Sequence, residues 1–288
     1  MAKARELVRR RKSVQNTRKI TRTMEMVSTA KFKQAMNRAV ATRPYAGKLA
    51  EMLQTLAPAC EGSGHPLLVK RPEPKRASVV IVTSNRGLCG GYNSNVLRAA
   101  TQYMTGWKER GVAIDLHVSG KRGLSFCRYK GWEVAGRHTA FADKPTYADV
   151  AAIADQLIAS YEAGETDSVA IAYMAFESAS RQKATVHQLL PLEGFKLGGE
   201  KPKGDVLFDP DPESILGELL PLYVRTSFFS AFLDAVVSEH IARMVAMKAA
   251  TDAAVDMIRS LSRAYNRARQ GQITNEIAEI VGGAAALQ

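Results

Sequence analysis

The sequence predicts an α/β fold in which a long antiparallel α-helical coiled coil, formed by both chain termini, carries an inserted α/β domain. Three observations lead there. Residues 222–270 contain neither Gly nor Pro. Residues 1–43 contain neither as well. Between these stretches, short β-branched runs alternate with amphipathic ones.

The N-terminal element spans residues 1–57. Its apolar positions (Leu7, Val14, Ile20, Met24, Val27, Ala30, Ala35) form a thin stripe interrupted by Thr17, Thr21 and Ser28. A self-sufficient zipper wants large apolar residues at its seam, so this helix needs a partner. The first helix breaker is Pro44, in the turn-like ATRPYAG. Residues 58–76 are rich in Gly, Pro and charge and read as a linker. Residues 77–195 read as the α/β domain, with strands at 78–82, 113–118, 169–173 and 185–190 and helices at 93–110, 121–129 and 147–163. Such alternation favours parallel crossover units of Rossmann-like type. The last two strands pair as an antiparallel edge, with a hairpin turn at 181–183. Residues 196–209 are a second linker, and residues 210–288 form the C-terminal helix.

That last helix opens at PDPES, with Asp211 as cap and Pro212 in the first turn. Its apolar residues advance by steps of three and four: Phe229, Leu233, Val236; Val237, Ile241, Met244; Met257, Leu261, Ala264, Ala268; and Ile273, Ile277, Ile280, Ala284, Leu287. At the helical rise, a helix over residues 222–287 reaches about 90–100 Å. That is too long for one compact core, so it requires a partner helix or an encircling protein. The Ala-rich face suits close approach to the small residues of the N-terminal helix.

The chain's 288 residues allow one large or two small domains, and 46% hydrophobic residues allow a sizeable core. No apolar run approaches the ~20 residues that span a membrane. Cys60, Cys89 and Cys127 are widely spaced and odd in number, the pattern of reduced thiols. The net charge of +12 is concentrated: residues 1–43 hold thirteen Lys and Arg against Glu6 and Glu25. Such a segment calls for an acidic partner, whether nucleic acid, anionic lipid or an acidic protein surface. A basic DNA-binding helix is the main rival, though the Leu heptads that should follow it are missing. A transit peptide and an idle solvated face fit less well.

No motif predicts catalysis. TSNRGLCGGYNSN, residues 83–95, follows the first strand and invites comparison with phosphate-cradling loops. It matches neither GxGxxG nor GxxxxGK[ST], so Gly87, Gly90 and Gly91 are read as a tight turn and Cys89 as packing. His65, His117, His138, His187 and His240 lack metal-ligand spacing. Arg259, Arg263 and Arg267 form a helical ladder that solvation, or pairing with Asp252 and Asp256, explains. The reading is no catalytic residue, no metal site and no cofactor.

Two blocks carry a resemblance. SEHIARMVAMKAATDAAVDMI followed by YNRARQGQITNEIAEIVGGAAAL, and RKITRTMEMVSTAKFKQAMNRAVATRPYA near the start, resemble the gamma subunit of F-type ATP synthases. The resemblance implies a non-catalytic central rotor shaft. Its implied partners are the alpha and beta subunits in a hexameric ring, the epsilon subunit and the c-ring, with membrane contact only through partners and no nucleic acid. It also implies subunit contacts for named residues. Met24, with Lys19, Arg22 and Lys31, matches the segment facing the acidic lever loop of beta. Arg269, Gln270 and Thr274 match the part that meets the beta catch loop. Phe208 and Asp209 align with the foot segment at the c-ring, where the family carries other side chains. The cysteine pair of the chloroplast type is absent, and a bacterial enzyme at the cytoplasmic face of the membrane is expected.

Overall fold

The computed structural model describes residues 2–56, 60, 64–139, 144–192 and 208–286. Its elements in chain order are α1 (Ala2–Leu56), β1 (Arg76–Val82), α2 (Tyr92–Lys108), β2 (Ala113–Ser119), α3 (Lys121–Lys130), β3 (Gly136–His138), α4 (Tyr147–Glu162), β4 (Ser168–Phe176), β5 (Gln182–Leu190) and α5 (Pro212–Ala286). Most of the second linker, residues 196–207, lies outside the described residues, as do residues 58–59 and 61–63 of the first and residue 57 before it.

The molecule comprises two compact units: residues 30–242, and residues 1–29 together with 243–288. The larger unit is built on a five-stranded sheet of order β3-β2-β1-β4-β5. β1 pairs in parallel with both β2 and β4, and β2 with β3. β5 is antiparallel to β4. The reason is connection length: helices cross between the parallel strands, whereas a short turn joins β4 to β5. That turn occupies 177–181, not 181–183 as expected, and Gln182 and Lys183 are already in the ladder. Ser178 sets the turn by accepting from the N–H of Arg181 at 3.1 Å. β3 was not predicted; its three residues, GRH, carry no β-branched run.

Alternate residues of β1 serve opposite faces, as the strand period requires. Val79 and Ile81 pack with Val96, Leu97, Ala100 and Met104 of α2. Val80 and Val82 pack with Val150, Ile153 and Leu157 of α4, Leu53 and Leu56 of α1, and Phe228 and Phe232 of α5. Tyr161 is fully buried here, its hydroxyl donating to Val69 O at 2.9 Å. Below it, Asp167 accepts from Arg71 at 2.8 Å and from the N–H groups of Lys75 and Arg76 at 2.6 and 2.9 Å. Burial works to raise this carboxyl, but those three donors hold it below the ordinary carboxylate range. The cluster clamps the segment entering β1 onto the start of β4.

α1 corrects the turn expected at ATRPYAG, because the helix runs through Pro44. An internal Pro costs about 3 kcal/mol. Burial of Leu49, Leu53 and Leu56 just beyond it offsets that cost. The expected stripe holds in part: Leu7, Val14 and Ala35 lie on the buried line. Ile20 and Val27 are exposed instead, and Thr21 and Ser28, one position over, take their places. Leu7, Val14, Thr21, Ser28, Ala35, Thr42, Leu49 and Leu56 recur every seven residues, and each is at least half-buried. Small residues win because they let another backbone approach closely.

α5 begins as expected. The Ser214 N–H donates to Asp211 Oδ1 at 2.9 Å, and the Ser214 hydroxyl to Oδ2 at 2.6 Å, which hold the Asp211 carboxyl below its ordinary range. By length and composition α5 contains a window apolar enough to cross a membrane, contrary to the expectation from uninterrupted apolar runs. Of that window, 56% is buried within the protein, so it serves as a core helix.

Candidate functional site

In the smaller unit, the first 29 residues and the end of α5 touch in antiparallel order. Thr251 Oγ1 lies 2.8 Å from Thr21 Oγ1, both buried. Ten residues nearer the start, the Arg11 guanidinium sits 5.5 Å from the centre of the Tyr265 ring. The α5 side of this contact repeats the seven-residue spacing, through Met247, Ala254, Leu261 and Ala268, and through Thr251, Ile258, Tyr265 and Gln272. Both seams are narrow and partly polar, and most other side chains point to solvent.

Charge collects beside this seam. Arg18, Lys19, Arg22 and Thr23 line a cavity of about 560 Å³ with Thr251 and Val255. Arg22 donates to both carboxylate oxygens of Glu25 at 3.0 Å, so one of the two acidic residues of the basic segment is already neutralised. The Arg22 side chain is 60% exposed and that of Glu25 13%, so solvent screens the pair from one side only. Met24 is half-buried one turn from Ser28, whose hydroxyl donates to Met24 O at 2.7 Å.

The structure thus brings Lys19, Arg22 and Met24 together on one stretch of α1. Lys31, also on α1, belongs to the larger unit and is half-buried. Arg269, Gln270 and Thr274 are exposed on one turn of α5, where Thr274 Oγ1 donates to Gln270 O at 3.0 Å. Among and beyond them Ile273, Ile277, Ile280 and Val281 are exposed, an apolar strip without cover among the described residues. Phe208 packs half-buried against the main core, while Asp209 is exposed. Within the Arg ladder, Arg259 pairs with Asp256 at 3.4 Å, both in solvent.

The Gly-rich loop after β1 has the shape of a turn. Leu88 and Gly90 adopt positive φ, and α2 starts at Tyr92. Asn93 Oδ1 takes the Ser84 N–H at 3.0 Å, and Asn93 Nδ2 donates to Cys89 Sγ at 3.2 Å. The first N–H groups of α3, which could face an anion, are already used. Lys121 donates to Asn85 Oδ1, Arg122 to Ser84 O and Gly123 to Thr83 Oγ1, at 2.9–3.1 Å. Gly120, at φ 96°, makes this closure possible, since a Cβ there would stand 2.1 Å from Thr83 O. The loop therefore caps a neighbouring helix, and the first N–H groups of α3 are spent on the protein itself. Cys89, Cys60 and Cys127 are buried and free. Among the described residues, no group of three His, Cys, Asp or Glu side chains could hold a metal ion.

Sequence reasoning missed one cluster. His117 and His138 are 21 residues apart, yet their ring nitrogens meet at 3.4 Å because β2 and β3 pair in parallel. Only the register of a strand too short to predict could have revealed them.

A family model described as ATP synthase matches residues 3–287. The chain is 43% identical to the ATP synthase gamma chain of Rhodopirellula baltica over 295 residues, covering all of both chains. It is likewise 43% identical to that of Leptospira biflexa over 288 residues, again covering all of both. Among solved structures, it resembles a chain of the central stalk and c-ring of Tetrahymena thermophila mitochondrial ATP synthase. That match has a TM-score of 0.58 at 25% identity and covers 80% of this chain and 99% of the other. A chain of Euglena gracilis mitochondrial ATP synthase shares the fold with a TM-score of 0.70 at 18% identity, over 99% of this chain and 95% of that one.

Proposed function

This chain belongs to the ATP synthase gamma-chain family, and from that premise we propose that it is the central rotor shaft of a proton-translocating F-type ATP synthase. The observation that carries this reading is similarity to gamma chains across the whole length. The subunit is itself non-catalytic. It couples rotation of the membrane c-ring to ATP synthesis or hydrolysis at the beta-subunit sites.

The terminal helices form an antiparallel coiled coil in this reading. Support comes from the seven-residue burial repeat of α1, the matching repeat of α5, and the Thr21–Thr251 and Arg11–Tyr265 contacts. Residues 1–57 and 210–288 are its two strands, and residues 77–195 are the foot, joined through linkers 58–76 and 196–209. The foot meets epsilon and the c-ring, the latter through Phe208 and Asp209.

The shaft turns inside a ring of alternating alpha and beta subunits. A shaft shifts the state of a catalytic site only if its contacts differ between states, which an asymmetric pair of helices provides. Lys19, Arg22, Met24 and Lys31 meet the acidic lever of beta, and Arg269, Gln270 and Thr274 its catch loop. The density of basic side chains on residues 1–43 suits that acidic surface. The whole sits as a peripheral part of the membrane-bound enzyme, at the cytoplasmic face of a bacterial membrane.

Affinity capture of the tagged chain from detergent-solubilised membranes tests this. Alpha, beta, epsilon and c subunits identified by mass are the expected companions. Recovery with nucleic acid, or with none of those subunits, would refute the assignment.

A further inference from the structure

The contacts proposed for the shaft do not include His117 or His138. β2 and β3 place His117 opposite Gly136 and Ser119 opposite His138. Residues two apart on a strand share a face, so both imidazoles leave the same side of the sheet. Their planes are within 9° of parallel and their centroids 5.7 Å apart. That separation equals the 3.4 Å between His117 Nδ1 and His138 Nε2 plus a ring radius at either end. The rings therefore lie head to head, with the shared bond along the line joining them. A Cβ at position 136 would stand 2.2 Å from His117 Nδ1 and 2.9 Å from His138 Nε2, so Gly136 leaves the gap they fill.

Such a pair can hold its bond in two charge states and not in the third. When both rings are neutral, one N–H donates to the other's lone pair. With one added proton the bond remains and becomes charge-assisted. With two, an N–H on each ring faces the other, and like charges repel across the former bond.

We propose that His117 and His138 form a proton-operated latch on the edge of the sheet: double protonation parts the rings and frees β3 from β2. β3 is only three residues long and has a neighbour on one side alone, so little else in the ladder holds it. Among the described residues, few charged groups surround the pair. Asp115, on the same face of β2, is bound to Arg76 of β1 at 3.5 Å. Lys75, Glu165 and Asp167 line the cavity that His117 borders, and Asp167 is engaged by Arg71. α4 contributes only the uncharged Gln156, Leu157 and Ser160 to that cavity. Arg137 of β3 belongs to the opposite face. Burial, and then His138, hold His117 below the ordinary histidine range against the opposing pull of Asp115. Burial does the same for His138. Depressed values mean that the latch is closed above the ordinary histidine value of 6.5 and opens as pH falls below it.

Hydrogen exchange on the full chain, corrected for the intrinsic pH dependence of exchange, tests the latch. Between about pH 7.5 and about pH 5, residues 134–139 should lose roughly tenfold or more protection while β1 keeps its own. His117→Gln and His138→Gln should abolish that pH dependence. An equal pH response in the variants, or none in the unmodified chain, would overturn the proposal. Should either variant fail to fold, imidazole ¹⁵N titration of the unmodified chain decides. Two proton uptakes separated by more than about one pH unit support the latch, and two superimposed titrations refute it.

Discussion

The two stretches of α1 show two ways of using one helix. From residue 30 onward its buried line carries Ala35, Ala39, Leu49, Leu53 and Leu56, and these enter a core shared with the sheet and the Phe-rich start of α5. Before residue 30 the same line carries Thr21 and Ser28, while Ile20, Met26 and Val27 face solvent. The larger unit closes its own core. The smaller one has a seam one or two small residues wide and, among the described residues, leaves apolar and basic surface uncovered, which monomeric domains rarely do. A unit of that kind is finished by something outside the chain.

The largest contrast should come from truncating one apolar residue in each unit. Phe228 is wholly buried, and Phe228→Ala should cost about 3–5 kcal/mol in urea unfolding of the isolated chain. Ile277, 56% exposed, should cost less than about 0.5 kcal/mol when changed to Ala. Comparable losses would mean that the end of α5 has a core of its own.

Next comes the clamp at Asp167. Asp167→Asn removes a charge that three donors address, and the expected loss is roughly 1.5–3 kcal/mol at neutral pH. Because the folded carboxyl is depressed, its stabilisation is present above the ordinary value of 3.8 and lost as pH falls below it. The difference between variant and parent should therefore shrink under acid. A difference that stays constant down to strongly acid pH would remove Asp167 from this role.

Met24→Lys probes the smaller unit in the assembled enzyme. A new charge-assisted bond to an acidic beta side chain, worth about 1.5–3 kcal/mol, would deepen one rotary state relative to others. Thioether packing is soft and forms no such preferred bond. ATP hydrolysis should persist while protons pumped per ATP fall, and removing the partner carboxylate should restore the ratio. An unchanged ratio across temperature would make Met24 a packing residue only.

These expectations rest on features that were unevenly legible in the sequence. Strands with β-branched runs, such as SVVIV and the VAIAY of β4, announced themselves, and Asp211 and Pro212 fixed the start of α5. The seam of α1 did not, because hydrophobic periodicity points to the largest side chains. Close helix packing selects Thr21 and Ser28 instead. Pro44 misled for a related reason, since a local rule was overridden by the Leu residues beyond it. The Gly-rich turn was legible as a turn, but nothing in its residues disclosed that it caps α3. The candidate contact residues came from resemblance, and solvent exposure is all that Lys19, Arg269 and Gln270 have in common.

The smallest effect is expected at the tip. Deleting the residues from Gly283 onward should leave assembly intact, because helix ends fray and contribute least. Loss of the complex after that deletion would make the tip an anchor.

Hydrogen exchange of residues 8–26 and 255–280, in the chain alone and within the complete ATP synthase, tests most directly whether partners finish the smaller unit. Protection there should rise by roughly a hundredfold or more on assembly, while β1 and β4 change little. Equal protection of both stretches in the two states would show that this unit is complete by itself and contradict the account.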